Sequence, residues 1–160
     1  MLISCTENES TGTKKQNKEA DIKPTIKTHA EVNNPSFENQ QALQDSLHIF
    51  DNFGLGLLKA QETGKPIFLY FTGYSVVNAR KVEDQLLFKN KIVYQKMKED
   101  YIHVWLYCDD KVVGKKNMKL HYNMTQSTTL PSIVLVSSEG TPTQMLLEYD
   151  MILTELEKSL

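Results

Sequence analysis

The amino-acid sequence predicts an α/β fold, in which a central mixed β-sheet of about four strands is flanked by helices. Two continuous apolar runs of strand length, at residues 66–71 and 102–108, are typical of strands that are covered on both faces. Segments with the helical spacing of apolar residues precede and follow each run. Residues 137–140 supply turn chemistry between two further strand-like segments, which predicts an antiparallel hairpin. Because strands separated by helices pair in parallel, the whole order predicts a mixed sheet.

The length and composition indicate one folded domain with a short appendage. The 160 residues carry 18 Lys and Arg against 20 Asp and Glu, a formal net charge of −2. This balance gives no long-range attraction to nucleic acid, so a nucleic-acid partner is not expected. The sequence holds no apolar run of roughly 18 residues or more, so it predicts no transmembrane segment. The four histidines and two cysteines lack the spacing of metal ligands, so neither a metal nor another cofactor is expected.

The first quarter of the chain differs in composition from the rest. Five lysines and five acidic residues lie between residues 6 and 36, among many Thr, Asn and Ser and without an aromatic residue. Such a stretch cannot bury enough apolar surface to offset the entropy of ordering it. The sequence therefore predicts a disordered tether over residues 1–40 and a folded domain over residues 41–160.

Residues 2–5, Leu-Ile-Ser-Cys, resemble the lipobox of bacterial lipoproteins. The resemblance implies a lipid-bearing Cys5, a polar tether and a location on the periplasmic side of the bacterial cell envelope. A signal peptide has a basic start and an apolar run of about 7–15 residues, whereas four residues precede Cys5 in this sequence. The alternative is a cytoplasmic protein with a disordered tail and an incidental cysteine.

Helical spacing and capping residues define the helices around the first strand. Apolar residues from Leu43 to Ala60 recur at helical spacing and predict a helix that ends at Gly64. After the turn at residues 72–75, apolar residues up to Met97 follow one helical face. This second helical segment is expected to break near residues 88–90, where Asn90 can cap a further short helix.

The last third of the chain predicts a helix, a hairpin and a final helix. The first helix is expected over residues 115–122, closed by Asn123, a residue that tolerates the left-handed conformation. Strands are expected over residues 132–136 and 144–147, and the final helix over residues 150–158.

Residues 71–81 read FTGYSVVNARK, directly after the first buried run. They are similar to the C-terminal periplasmic domain of the bacterial thiol:disulfide interchange protein DsbD, a thioredoxin-fold family. In that family a strand ends in Phe-Thr-Gly-Tyr or Phe-Thr-Gly-Trp. A helix then begins with the pattern Cys-x-Asn-Cys-Arg-Lys. In this chain Val76 and Ala79 occupy the two cysteine positions, and the other three residues of the helix start keep their places: Asn78, Arg80 and Lys81.

Two downstream segments extend the resemblance to roughly residues 45–158. Residues 106–111 are similar to the family's second strand and its acidic end, and residues 129–131 match its cis-proline loop. The resemblance implies that the loop at Leu130 and Pro131 faces the helix start and offers main-chain hydrogen bonds to an extended peptide.

The residues that carry thiol–disulfide exchange are absent from the matched positions. The reaction needs a thiolate at the helix start and a second thiol that resolves the mixed disulfide, and Val76 and Ala79 supply neither. The family's buried acid falls at Tyr70, and a phenol with a pKa of about 10 is a poor base at neutral pH. The three losses together predict a redox-inactive member without catalytic residues.

Other polar and aromatic residues near these positions are interpreted as structural. Cys108 lies in an apolar run and is expected to pack as a small hydrophobic residue. Tyr70 and Tyr74 are interpreted as packing residues at the ends of central strands. The charged residues at positions 80, 81, 83 and 84 are interpreted as a solvated helix face.

The sequence keeps the motif residues around the redox site but lacks the two thiols, which predicts a module that binds a peptide or a protein. Two other functions stay open: a thiol–disulfide oxidoreductase that acts through Cys108 or through a partner's cysteine, and a purely structural interaction module. The candidate binding residues are those of the former redox loop and the proline loop: Tyr74, Ser75, Val76, Ala79, Leu130 and Pro131.

Overall fold

The computed structural model describes residues 45–160. These residues form four strands and five α-helices, and a π-helical turn at Glu83–Phe88 continues the second helix. The predicted α/β class is confirmed. In chain order the elements are α1 (Phe53–Thr63), β1 (Ile67–Thr72), α2 (Val77–Val82), α3 (Lys91–Asp100), β2 (Ile102–Tyr107), α4 (Gly114–Thr125), β3 (Ser132–Val136), β4 (Pro142–Leu146) and α5 (Tyr149–Ser159).

The four strands form one mixed sheet, as the sequence predicted, and their order in the sheet is β2-β1-β3-β4. β1 runs parallel to β2, from the pair Ile67–Ile102 to the pair Thr72–Tyr107. β3 runs antiparallel to β1, and β4 antiparallel to β3. Consequently the loops that follow β1 and β2 and the loop that precedes β3 meet at one edge of the sheet, which we call the carboxyl edge.

Both faces of the sheet are covered, which explains why the strands read as unbroken apolar runs. Alternate residues along each strand point to opposite faces and enter two separate cores. The first core includes Phe68, Tyr70, Trp105, Ile133 and Leu135 and the buried residues of α2, α3 and α5. The second core includes Ile67, Leu69, Phe71, Val104 and Val134 and the buried or half-buried residues of α1 and α4.

Helix α1 starts later than the sequence predicted. Phe50 forms a parallel bridge with Val104, so the chain before the helix is extended beside β2. Asn52 then caps the helix, because its Oδ1 accepts the N–H groups of Gly54 at 2.8 Å and Leu55 at 3.2 Å. The expected earlier part of this helix, near residue 43, lies outside the described residues.

Local sequence signals predicted two of three helix termini correctly. Gly64 ends α1 in the left-handed conformation with φ of 71°, as predicted. Asn90 caps α3, as predicted, by accepting the N–H groups of Ile92 and Val93. The predicted stop of α4 at Asn123 is wrong, because α4 continues to Thr125 and Gln126 takes the left-handed conformation.

We expect substitution of Gly56 to destabilise the domain, because α1 crosses β2 there. A Cβ at Gly56 would lie 2.2 Å from Val104 Cγ2, whereas a Cβ at Gly54 would meet only Asn52 Oδ1, at 3.2 Å. In urea unfolding, Gly56→Ala should lower the free energy of unfolding by about 1–3 kcal/mol. Gly54→Ala is the matched control and should have a smaller effect. Equal effects of the two variants would contradict the close packing of α1 on β2.

Candidate functional site

Except for Ala79, which lies in α2, the candidate binding residues fall on two loops of the carboxyl edge that strand pairing places side by side. Phe71, near the end of β1, pairs with Ser132 at the start of β3. The loop of residues 73–76 therefore begins beside Leu130 and Pro131. The peptide bond between Leu130 and Pro131 is cis; Pro131 is buried and Leu130 is half-buried.

Val76 and Ala79 lie at the start of α2. Val76 is the N-terminal capping residue, is half-buried and has no side-chain acceptor to offer the helix. Its C=O accepts the N–H of Ala79 at 3.1 Å, so the two positions are joined across the first turn. Ala79 is fully buried, so a partner at the surface would meet Val76 and its neighbours instead. Neither hydrocarbon side chain carries a group that can attack a disulfide.

An internal carboxylate holds the loop that precedes α2. Asp109, just after β2, accepts the N–H of Tyr74 at 2.8 Å and the N–H of Ser75 at 2.9 Å. A Cβ at Gly73 would lie 3.0 Å from this carboxylate, so glycine is needed for the close approach. The sequence showed an acidic end to the second strand, but only the β1–β2 pairing reveals which amides that acid binds.

The Tyr74 side chain forms an exposed aromatic platform with Tyr107. Their rings are stacked, with centroids 4.2 Å apart and planes inclined by 14°. Partial burial, and then the carboxylates of Asp110 and Asp109, raise the pKa of Tyr74, so its phenol is neutral at physiological pH. Tyr70, by contrast, is fully buried, and its ring meets that of Trp105 edge to face. Tyr74 packs through its ring, yet 61% of it stays exposed.

The interpretation of positions 80–84 as a solvated face is wrong for Glu83, which is only 3% exposed. Its Oε1 accepts from Arg80 Nη2 at 2.7 Å and from Thr72 Oγ1 at 3.4 Å. Glu83 lies four residues after the buried Ala79 and therefore on the same helical face. This spacing of four residues from a buried alanine is the signal in the sequence that could have predicted the burial of Glu83. Asp84 does lie nearer the surface, in an exposed ion pair with Lys89.

Burial dominates the electrostatics of Glu83. It raises the pKa of this carboxyl to about 7, although the Arg80 guanidinium and the Thr72 hydroxyl both favour the ionised form. Burial also raises the pKa of Tyr70 and Tyr107, and the charge of Glu83 adds to both shifts. The structure therefore places a buried acid with a pKa near neutrality beneath the loop, in a part of the molecule where sequence reasoning expected none.

Cys108 lies directly after β2 and is half-buried. Burial, and then the neighbouring Asp109, raise the pKa of its thiol to about 11. The thiolate, which is the nucleophile in disulfide exchange, is therefore scarce at neutral pH. Cys5, the candidate lipidation site, lies outside the described residues.

A buried histidine fixes the proline loop, a feature that sequence reasoning missed. Ser132 Oγ donates to the C=O of Thr129 at 2.7 Å, so it accepts from His121 Nε2 at 3.1 Å. This pairing ties α4 to the segment on both sides of Pro131. Burial lowers the pKa of His121, which keeps the imidazole neutral.

The described part of the chain contains no evident metal or membrane-spanning element. Within residues 45–160, no group of three or more His, Cys, Asp or Glu side chains is placed to hold a metal ion. None of the helices described is long and apolar enough to cross a bilayer. A cavity of about 310 Å³ opens between α1 and α4, and its lining includes Phe53, Leu106, Lys116 and Asn117.

Comparison with known proteins identifies the fold. No protein-family model and no curated protein sequence matches this chain. Among solved structures, a disulphide isomerase from Xylella fastidiosa Temecula1 is 18% identical with a TM-score of 0.51, over 66% of this chain and 86% of that one. The DsbH oxidoreductase is 20% identical with a TM-score of 0.50, over 68% and 83%. Identities this low show the fold alone, and that fold is thioredoxin-like, as the sequence predicted.

We expect Asp109→Asn to loosen the loop before α2, because an amide offers one acceptor oxygen where the carboxylate offers two. The variant should lose about 1–3 kcal/mol of unfolding free energy. Its Tyr74 and Ser75 amides should also exchange faster with deuterium in NMR measurements. The control is Asp84→Asn, which disrupts an exposed ion pair with Lys89 and should cost about 1 kcal/mol or less. Unchanged exchange at Tyr74 and Ser75 would contradict the role of Asp109.

Proposed function

We propose that this chain is a redox-inactive, thioredoxin-fold module that binds an extended peptide or protein segment at the carboxyl edge. The observation that carries the proposal is the pairing of two features at one loop. Val76 and Ala79 occupy the helix start without a thiol, while Asp109 still holds the loop in a fixed geometry. A loop that is kept rigid without its reaction is better suited to binding than to catalysis.

The exposed apolar side chains support a binding surface at this edge. Exposed large hydrophobic residues follow β1, at Tyr74 and Val77, and follow β2, at Val112 and Val113. Clustered exposed apolar groups on a folded domain are typical of interaction sites. Tyr74 is the expected anchor, because aromatic residues dominate the energetics of most interfaces.

The main chain of Leu130 offers the complementary polar contacts. Within residues 45–160, neither its N–H nor its C=O has a hydrogen-bond partner. An extended peptide could satisfy both groups in the manner of an added strand. The neighbouring His121–Ser132 bond fixes this segment, so little ordering entropy would be lost on binding.

Two finer assignments belong to the same proposal. The first is a relationship to the C-terminal domain of DsbD, which the motif at residues 71–81 supports. The second is an envelope location on the periplasmic side with a lipid on Cys5, which the resemblance of residues 2–5 to a lipobox supports.

Peptides selected from a random library on the full chain should bind at this edge. In NMR titrations the amides of residues 74–77 and of Leu130 should shift most. Tyr74→Ala should weaken the selected peptide about tenfold or more, because it removes the anchor. Leu58→Ala is the matched control, since Leu58 is equally exposed but lies on α1, and it should leave the affinity unchanged. Shifts spread evenly over the surface would count against the site.

A second prediction tests the redox assignment. With dithiothreitol as reductant, the wild-type protein should reduce insulin no faster than Cys108→Ala. The double variant Val76→Cys, Ala79→Cys should instead form a reversible disulfide in glutathione buffers, since the two positions lie across one helical turn. Insulin turnover by the wild type above the Cys108→Ala rate would overturn the redox-inactive assignment. A double variant that never forms the disulfide would refute the matched register.

A further inference from the structure

Arg80 connects a buried carboxylate to the candidate binding loop. Its Nη2 lies 2.7 Å from Glu83 Oε1, 3.1 Å from Thr72 Oγ1 and 3.3 Å from the C=O of Gly73. The side chain of Arg80 is 43% exposed, whereas that of Glu83 is 3% exposed. The long guanidinium side chain is therefore held over the loop by an anchor that solvent does not reach.

We propose that the Arg80–Glu83 ion pair is a pH-sensitive latch on the loop of residues 73–76. With Glu83 ionised, Arg80 is held against the C=O of Gly73 and the loop is closed onto α2. When Glu83 takes up a proton, the charge that holds Arg80 is lost, and the guanidinium turns to solvent. Asp109 keeps its bonds to Tyr74 and Ser75, so the loop loosens at its start without unfolding.

Glu83 is the group in this cluster that changes its charge near neutral pH. Tyr70 of β1 and Tyr107 of β2 face it, and both phenols stay neutral because burial raises their pKa. Arg80 is the cation beside it, with Nη2 2.7 Å from Glu83 Oε1. On the same helix Lys81 is placed differently, with Nζ 6.0 Å from the centre of the Tyr149 ring of α5.

The burial of Glu83 moves the midpoint of its titration to near neutral pH. An exposed carboxyl would be ionised throughout the neutral range, and the latch would never open. Because burial raises the pKa of Glu83 to about 7, protonated and ionised forms coexist near neutral pH. The π-helical turn that begins at Glu83 supports a functional role, since such turns are common at functional sites.

The same shift fixes the sign of a stability effect. The pKa of Glu83 is higher in the folded state than the ordinary value of 4.5. Its contribution to stability is therefore full below about pH 4.5 and is lost as the pH rises through about 7. Glu83→Gln should remove this component of the pH dependence, because glutamine has no proton to lose.

The test is an NMR titration of the full chain without any peptide, from about pH 5.5 to about pH 8.5. The amide of Tyr74 should shift with a midpoint near 7, because it belongs to the same peptide group as the Gly73 C=O that Arg80 binds. The amide of Ser75, held by Asp109, should shift less. Glu83→Gln should lack this transition, and its loop shifts should resemble those of the wild type at low pH. Arg80→Gln keeps Glu83 but breaks the link, so its loop should resemble the low-pH state throughout. Asp84→Asn, an adjacent acid in an exposed pair, should keep the wild-type transition.

Three outcomes would overturn the latch. They are a wild-type loop that does not respond to pH, a transition that persists in Glu83→Gln, and an Arg80→Gln loop that still titrates like the wild type. The Arg80→Gln result decides the matter even where Glu83→Gln fails to fold. Since the titration uses the free chain, failure of peptide binding would leave this test unaffected.

Discussion

β1 forms hydrogen bonds to β2 on one side and to β3 on the other, and all six of its residues are buried. This pairing sets the position of every functional segment, because the parallel partner and the antiparallel partner bring their loops to the same edge. Asp109 reaches the amides of residues 74 and 75 only because Thr72 and Tyr107 are opposite each other. Leu130 lies beside the same loop only because Phe71 pairs with Ser132. A slip of one residue in either ladder would move each contact to the wrong face.

Charged side chains hold the loop at this edge from two sides. Asp109 holds its amides from the side of β2, and the Arg80–Glu83 pair holds its carbonyl from the side of α2. One anchor is a carboxylate on a surface loop, and the other is a buried acid whose charge depends on pH. In the proposed latch, the contacts of Asp109 fix the loop near Tyr74, and the Arg80–Glu83 pair controls it near Gly73.

The fold followed from local patterns to a large extent. Continuous apolar runs located β1, β2 and β3, since strands covered on both faces leave no polar alternation to interpret. Gly64 and Asn90 marked helix ends because their backbone and side-chain chemistry acts on immediate neighbours. Asn123 does not end α4, because that helix end depends on tertiary packing and not on local chemistry. Packing of α4 onto the sheet extends the helix past a residue that tolerates the left-handed conformation, and Gln126 takes that role.

By itself, the sequence determined that the helix start carries hydrocarbon side chains in place of thiols, because residue identity at Val76 and Ala79 is independent of folding. It also determined the order of strands and helices, which depends on short-range periodicity. Only the tertiary structure decided that Glu83 is buried beneath the loop and that Asp109 accepts the loop N–H groups of Tyr74 and Ser75. Both facts depend on contacts between segments far apart in the chain. Burial, which sets the charge of an acid, is a property of the packed molecule and not of the residue.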